Sequence, residues 1–252
     1  LYKNMSNNVE MLMKNIKINT NVIESAHACG IKKGIFCLSS CIFPKNPPNG
    51  FPMKEEVINE GSPHDSNQGY AYAKRMLFIM CAQYNAQYGH DYICLSPVNL
   101  YGPHDHFNSS GSHVIPEIIK RLYDKYTNVY DNNTQMSLRR NMFEIYGTGT
   151  AKRQFLFAGD FAKVILEITI NKNNVKYPNL INICCNNCEY SISEIVIKIL
   201  DIMKDNIESE RNISLWYNED HSDGILQKTV SNSILDELIS TETINNFTDI
   251  DK

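Results

Sequence analysis

The chain has 252 residues, 42% of them hydrophobic, and a formal net charge of −4. That length can bury a substantial core in one large domain or two small ones, and the mild acidity offers no basic surface for nucleic acid or anionic lipid beyond the isolated Arg139-Arg140 pair. No apolar stretch is long enough to span a bilayer and the first residues lack a signal-peptide layout, so the expectation is a soluble, cytoplasmic protein with neither membrane nor nucleic acid as a partner.

Apolar positions Val9, Met13, Ile16, Ile23 and Ala26 recur close to helical spacing, which predicts a helix over 5–29 stopped by Gly30. Residues 34–39 read as a buried strand, followed by a Pro/Asn/Gly loop at 44–52 and a polar stretch to Asn67. A second helix over 68–88 ends at Gly89, and 92–96 is the next buried strand. Helix, short strand, helix, short strand predicts an α/β fold, a Rossmann-like parallel sheet with crossover helices. After Pro97 comes a turn-rich loop, 99–105, at the carboxyl end of a strand, where open α/β sheets bind ligands. Downstream, a helix is expected at 114–126, a surface insertion at 127–141, and strands at 143–146 and 154–157. A helix at 160–170, a strand at 180–184, a helix over 191–203 with Ser191 and Glu194 as a capping box, and a strand at 213–216 complete the pattern. Gly147-Thr148-Gly149 precedes a strand, not a helix, and reads as a turn instead of a dinucleotide loop. Asparagine runs such as 132–133 and 171–174 are compositional and carry no function.

Of eight cysteines, Cys29, Cys37, Cys81 and Cys94 fall inside expected helices or strands, where a free thiol serves as a small buried hydrophobe. Cys185-Asn186-Asn187-Cys188 has ligand spacing, but no second pair completes a zinc site. The reading is core packing, with no metal. Cys41 differs by its place: Leu38-Ser39-Ser40-Cys41 lies at a strand end. Tyr70 and Lys74, four residues apart, share one helical face that a hydroxyl at that strand tip can oppose. The lysine cation is expected to lower the tyrosine pKa, and the tyrosine hydroxyl to exchange a proton with a carbonyl or alcohol. Tyr-x-x-x-Lys spacing alone arises by chance. Here it stands in order with segments 38–44, 97–107 and 112–116.

Together these segments resemble the extended short-chain dehydrogenase/reductase family of nucleotide-sugar enzymes, and within it the GDP-sugar 3,5-epimerase-4-reductases, over roughly residues 15–235. The resemblance implies a partial NADP-binding domain at 1–110 and 150–175, and a smaller C-terminal α/β substrate domain at 111–149 and 176–252. It implies conversion of GDP-4-keto-6-deoxy-D-mannose to GDP-L-fucose, by epimerisation at C3 and C5 and reduction of the C4 ketone with NADPH. Cys41 and His113 are the implied epimerisation pair, with base and acid left open between them. Tyr70 is the implied proton donor in the reduction, Lys74 its partner and a ribose contact, and Ser39 the holder of the sugar oxygen. Cofactor contacts are implied at Cys37, Leu38, Ser39, Ser40, Tyr70, Lys74, Pro97, Val98, Asn99, Leu100 and His113. Substrate contacts are implied at Asn99, Arg121, Tyr146, Arg153 and Asp223; the last stands in a weaker match, Ser222-Asp223-Gly224 with Lys228, where His221 replaces a usual lysine. A homodimer through helices 5–29 and 68–88 is implied for the full-length form.

The chain departs from the family's pattern in having no G-x-x-G-x-x-G, whose glycines bring backbone to the cofactor pyrophosphate at a helix N-terminus. The expectation is a truncated form that lacks the first strands of the sheet and binds NADPH poorly. A 4-epimerase or dehydratase of the same family would share Tyr70 and Lys74 but gives no reason for Cys41 with His113. A non-catalytic fragment of the same fold is the alternative from another class.

Overall fold

The computed structural model describes residues 7–107, 111–127, 141–170, 176–207 and 212–250. Its first half comprises α1 (Asn8–Ala28), β1 (Lys33–Cys37), α2 (Gln68–Tyr88), β2 (Asp91–Pro97), β3 (Asn99–Tyr101), α3 (Val114–Tyr126), β4 (Met142–Tyr146) and β5 (Lys152–Phe157). Then come α4 (Ala158–Ile170), β6 (Leu180–Ile183), β7 (Glu189–Ser191), α5 (Ile192–Asn206), β8 (Ser214–Asn218), β9 (Gln227–Lys228), α6 (Ser233–Leu238) and α7 (Thr241–Asn245). Positions 128–140 of the expected insertion, with Arg139-Arg140, and the 171–174 asparagine run lie outside the described residues.

β2 is buried along nearly its whole length, as a parallel strand covered on both faces must be. It pairs in parallel with β1 on one edge and β6 on the other. Ile23, Leu77, Leu95, Val164 and Ile181 build the first core around this sheet. α1 packs along α2, and Asn19 donates to the Ala73 carbonyl at 3.1 Å. Gly69 permits that approach, because a Cβ there would stand 2.3 Å from the Asn8 carbonyl oxygen. The second core joins α3, α5 and the parallel pair β4–β8 through Ile118, Leu122, Phe143, Ile145, Ile195 and Leu200. Between the two cores runs β5, parallel to β3 and β9 and antiparallel to β7.

The parallel α/β pattern is as expected, and Gly30 and Gly89 (φ 71° and 66°) end their helices in the left-handed conformation. The capping box of Ser191 and Glu194 is formed. Four details differ. β1 ends at Cys37, so Ser39 stands in the connection to a 3-10 turn, Ser40–Ile42. The loop after Pro97 opens with β3, because Asn99–Tyr101 pairs with Phe155–Phe157. β6 joins the first sheet, and Val230, Leu235 and Ile239 pack into the first core, although the sequence assigned these stretches to the second unit. Cys29 and Cys37 are exposed, since each sits at the end of its element where periodicity says nothing about burial; Cys81 and Cys94 are buried. Among the described residues no helix is long and apolar enough to cross a membrane.

One buried cation fixes the turn that follows Ser39. Arg75, on α2, donates through Nε to the Ile42 carbonyl at 3.1 Å and through Nη1 to the Gly61 carbonyl at 3.0 Å, while Nη2 also reaches Ile42. Its guanidinium lies 5.4 Å from the Tyr72 ring centroid. A lysine is a point donor and cannot span these carbonyls. Arg75→Lys is therefore expected to lower stability by about 2 kcal/mol, the loss of charged hydrogen bonds to buried acceptors. Urea unfolding checks this; an unmoved midpoint would show that the fork does not hold the turn.

Candidate active site

Ser39 has extended backbone (φ −164°, ψ 148°), and its hydroxyl oxygen accepts from the Cys41 amide at 3.3 Å. That bond caps the 3-10 turn and sets the direction of the Cys41 side chain. Across from it stands Lys228 on β9, whose Nζ lies 3.2 Å from Cys41 Sγ. Burial pushes the Cys41 thiol up, but the Lys228 cation and hydrogen bonds from Ser39, Lys228 and Asn67 outweigh it, and the thiol lies below its ordinary value. Cys41 is thus poised toward thiolate.

Tyr70 and Lys74 share a face of α2 as their spacing requires. Lys74 Nζ donates to the Cys37 carbonyl at 2.9 Å and stands 5.9 Å from the Tyr70 ring centroid. The expected lowering of the tyrosine pKa by Lys74 is not found. Burial drives the Tyr70 hydroxyl up to about 12, and the Cys41 and Cys37 charges push the same way. The reason is geometric: the ammonium is committed to a carbonyl and faces the ring. Burial also pulls Lys74 below its ordinary value, against the opposing pull of Cys37 and Cys94.

Cys41, Asn67, Asn99, His113, Arg153, Asp223 and Lys228 are among the residues lining one cavity of about 290 Å³. His113 caps the start of α3 with its side chain 77% exposed, and its Nδ1 lies 3.4 Å from Asp105 Oδ1. Asn99 donates to the Gln154 carbonyl at 2.8 Å, which anchors its amide to β5. Arg153 donates to the Lys152 carbonyl at 2.7 Å. Burial holds its pKa below the ordinary guanidinium value, with Asp223 opposing. The Asp223 carboxylate clasps a turn: Oδ1 accepts from the Thr148 amide and Oδ2 from the Thr148 hydroxyl, each at 2.8 Å. Gly147 and Gly149 flank Thr148 at φ 74° and 71°, so the lone Gly-Thr-Gly is a turn.

Other expected residues sit apart from that lining. Ser39, Tyr70 and Lys74 stand beside the Cys41 turn but not on the cavity wall. Arg121 donates to the Glu144 carbonyl at 2.6 Å, with its guanidinium 4.5 Å from the Phe143 ring and 5.2 Å from Tyr146. Tyr146 also meets His221 at 4.5 Å between rings. Leu38, Ser40, Pro97 and Val98 are buried, so only their backbone could meet a ligand, whereas Cys37 is exposed and Leu100 reaches the cavity. Sequence reasoning did not pair Lys228 with Cys41, 187 positions away. The only signal was its place beside the Ser222–Gly224 loop. It also missed Gln154, whose side-chain amide donates to the Val230 carbonyl at 3.0 Å and accepts from the Val230 amide at 2.8 Å.

The NAD dependent epimerase/dehydratase family matches residues 2–184 of the chain. A probable GDP-L-fucose synthase of Drosophila melanogaster is 37% identical over 176 residues, 70% of this chain and 53% of that protein. The GDP-L-fucose synthase of Dictyostelium discoideum is 34% identical over 239 residues, covering 95% of this chain and 68% of that one. A crystal structure of a GDP-L-fucose synthetase from Naegleria fowleri bound to NADP superposes with a TM-score of 0.79 at 30% identity, over 97% of this chain and 70% of that chain. The aligned part of this chain thus spans about half the length of the Drosophila relative.

Lys228 is the group that reverses the effect of burial on Cys41, so its removal has a directional outcome. In Lys228→Met the midpoint of the pH profile for iodoacetamide alkylation of Cys41, followed on its own peptide, is expected to move to higher pH. An unchanged midpoint would show that Lys228 does not set the thiol.

Proposed function

The chain belongs to the NAD dependent epimerase/dehydratase family, and we propose that it acts as a GDP-L-fucose synthase-type enzyme, a 3,5-epimerase and 4-reductase of GDP-4-keto-6-deoxy-D-mannose. The observation that carries this reading is a thiol biased toward thiolate by Lys228, lining one cavity with His113. Protons on the carbons flanking a ketone are acidic because the carbanion delocalises into the carbonyl. Removing one and returning it on the other face needs a base and an acid on opposite sides. Cys41 is the base, because its charged form is the stabilised one. His113, oriented by Asp105, returns the proton. The Ser39 hydroxyl, which accepts from the Cys41 amide and donates toward the Cys41 sulfur, stands beside that thiol to hold the sugar oxygen once the thiol has taken a proton. Tyr70, with a pKa near 12, holds its proton at neutral pH and gives it to the nascent C4 alkoxide.

The donor set at the carboxyl ends of β1 and β2 suits the nicotinamide end of NADPH. The Lys74 ammonium would meet the ribose, and the exposed Asn99 amide with backbone at 97–100 would hold the carboxamide. Bound there, NADPH supplies the hydride for the C4 ketone. Arg153 fits the substrate diphosphate through its planar fork, with Arg121 and Tyr146 as a second contact surface for the nucleotide. A cytoplasmic setting is part of this reading, supported by eight cysteines that are all unpaired. So is a homodimer, supported by Val9 and Met13 on α1 and Tyr72, Met76 and Ile79 on α2, which remain exposed on two helices already packed together.

Given GDP-4-keto-6-deoxy-D-mannose, the purified protein is expected to consume NADPH, read by absorbance, but to need high cofactor concentrations, as weak NADPH binding requires. Cys41→Ser should cut deuterium incorporation from solvent at C3 and C5 by about a hundredfold or more, the usual weight of a general base. Tyr70→Phe should keep that incorporation and lose NADPH consumption. Equal loss of both signals in both variants would overturn this division of roles. In sedimentation, the wild type is expected as a dimer, and Met76→Glu combined with Ile79→Glu as a monomer; a wild type monomeric at every concentration would remove the dimer from the reading.

A further inference from the structure

A second cavity, of about 260 Å³, is lined by Tyr101, Phe155, Cys185, Cys188, Tyr190 and Asp249 among others. Phe155 is common to both cavities. Cys185 and Cys188 bracket a tight turn in which Asn187 takes φ 59°, a conformation asparagine tolerates better than most residues. Cys188 Sγ donates to the Cys185 carbonyl at 3.0 Å, and Cys185 Sγ reaches the Phe155 carbonyl at 3.7 Å. The Phe155 amide in turn donates to the Cys188 carbonyl at 3.0 Å, which stitches the turn to β5. A β-turn holds its first and fourth Cα atoms within about 7 Å. Disulfides span Cα separations of about 4.4–6.8 Å. The two thiols therefore stand where a bridge can close with side-chain rotation and little movement of backbone.

We propose that Cys185 and Cys188 form a reversible redox pair, a modification site at which a peroxide closes a disulfide across the turn. The Cys188 sulfur attacks one oxygen of hydrogen peroxide, the O–O bond breaks, and the departing oxygen leaves as water with one thiol proton. The sulfenic acid on Cys188 is then attacked by the Cys185 sulfur; the S–O bond breaks and the second oxygen leaves as water with the other proton. Two thiols lose two electrons and two protons, and the peroxide becomes two waters. Cys188 is placed first because its neighbours at the turn draw its thiol below the ordinary value while that of Cys185 is pushed up, and because its sulfur lies against the Cys185 carbonyl on the same cavity lining. Access is through the second cavity, which both residues line, so peroxide reaches the buried Cys188 by entering past the half-buried Cys185. A loop this short removes little entropy from the unfolded chain, so the bridge is not a stabilising staple. It belongs to the labile kind that thiol reductants reopen. Closing it withdraws Cys188 Sγ from the Cys185 carbonyl and Cys185 Sγ from the Phe155 carbonyl, the latter on β5, which also carries Arg153. The site stands independently of the catalytic reading.

The test uses the whole chain, first reduced, then titrated with hydrogen peroxide, quenched with N-ethylmaleimide and mapped by peptide fragmentation. The expected result is a peptide lighter by two hydrogens and bridged between Cys185 and Cys188, with Cys184 free to take the label after denaturation. Dithiothreitol should restore both thiols, and Cys185→Ser or Cys188→Ala should abolish the lighter species. If a variant fails to fold, the wild-type map decides alone. Maleimide on both residues after peroxide, a bridge through Cys184, or sulfinic acid in place of the lighter peptide would each overturn the proposal.

Discussion

The backbone pairing of β5 is the constraint on which the cavity depends. Its first residues, Lys152 and Arg153, lie beside Gln227 and Lys228, and this register delivers the Lys228 ammonium to Cys41. Its later residues lie beside β3, which presents Asn99. A two-residue strand such as β9 is marginal on ladder bonds alone, since closing the long chain segment between it and β5 costs entropy that few bonds can offset. Gln154 supplies the rest. Its buried amide satisfies both donor and acceptor on Val230, and its own carbonyl receives Asn99. One residue therefore ties together the pieces that carry the thiol's partner and the amide at the cavity mouth.

Burial acts alike on two acids near this cavity, and neighbours decide the outcome. At Cys41 a cation stands 3.2 Å away. At an effective dielectric of about 20 such a pair is worth on the order of 5 kcal/mol before burial is deducted. The net direction is downward. Glu55 is buried as well, but its helpers are weaker: the Asn182 amide at 2.8 Å, its own backbone amide and the nearby Lys54 charge, with Oε2 unpaired and Glu56 opposing. Burial there wins and pushes the carboxyl up. The contrast shows that the nearest neighbours decide the direction at each site, with Glu55 tied to β6 through the Asn182 amide.

Helices and central strands were legible because they are long enough to show a period: α1, α2, β2 and α5 follow their apolar spacing and their stop signals. The Cys41 turn and the Tyr70–Lys74 pair were legible because they are local. Lys228 was not, because a contact across 187 positions leaves no local trace and β9 is too short to show alternation. Cys29 and Cys37 were misplaced for a related reason: periodicity describes an element's interior and is silent at its ends. The expected lowering of Tyr70 failed on a detail that spacing cannot carry. Four residues apart puts two side chains on one face, but it does not say whether the ammonium points at the hydroxyl or at a carbonyl of the preceding strand, and here it takes the Cys37 carbonyl.

Opposite shifts on neighbouring groups sort an acid from a base. Cys41 is pulled down and Tyr70 is pushed up to about 12, and the second shift arises in part from the first, because the Cys41 charge raises Tyr70. On the proposed reaction this coupling orders the steps. While Cys41 is a thiolate, Tyr70 holds its proton firmly and cannot serve as a premature acid. When Cys41 takes a proton from the sugar, one of the charges that hold Tyr70 up is gone while burial, the larger cause, remains, so the phenol becomes a somewhat better donor. On that proposal, proton abstraction beside the ketone favours the group that completes its reduction, and Lys228 bears on both through its charge beside the thiol.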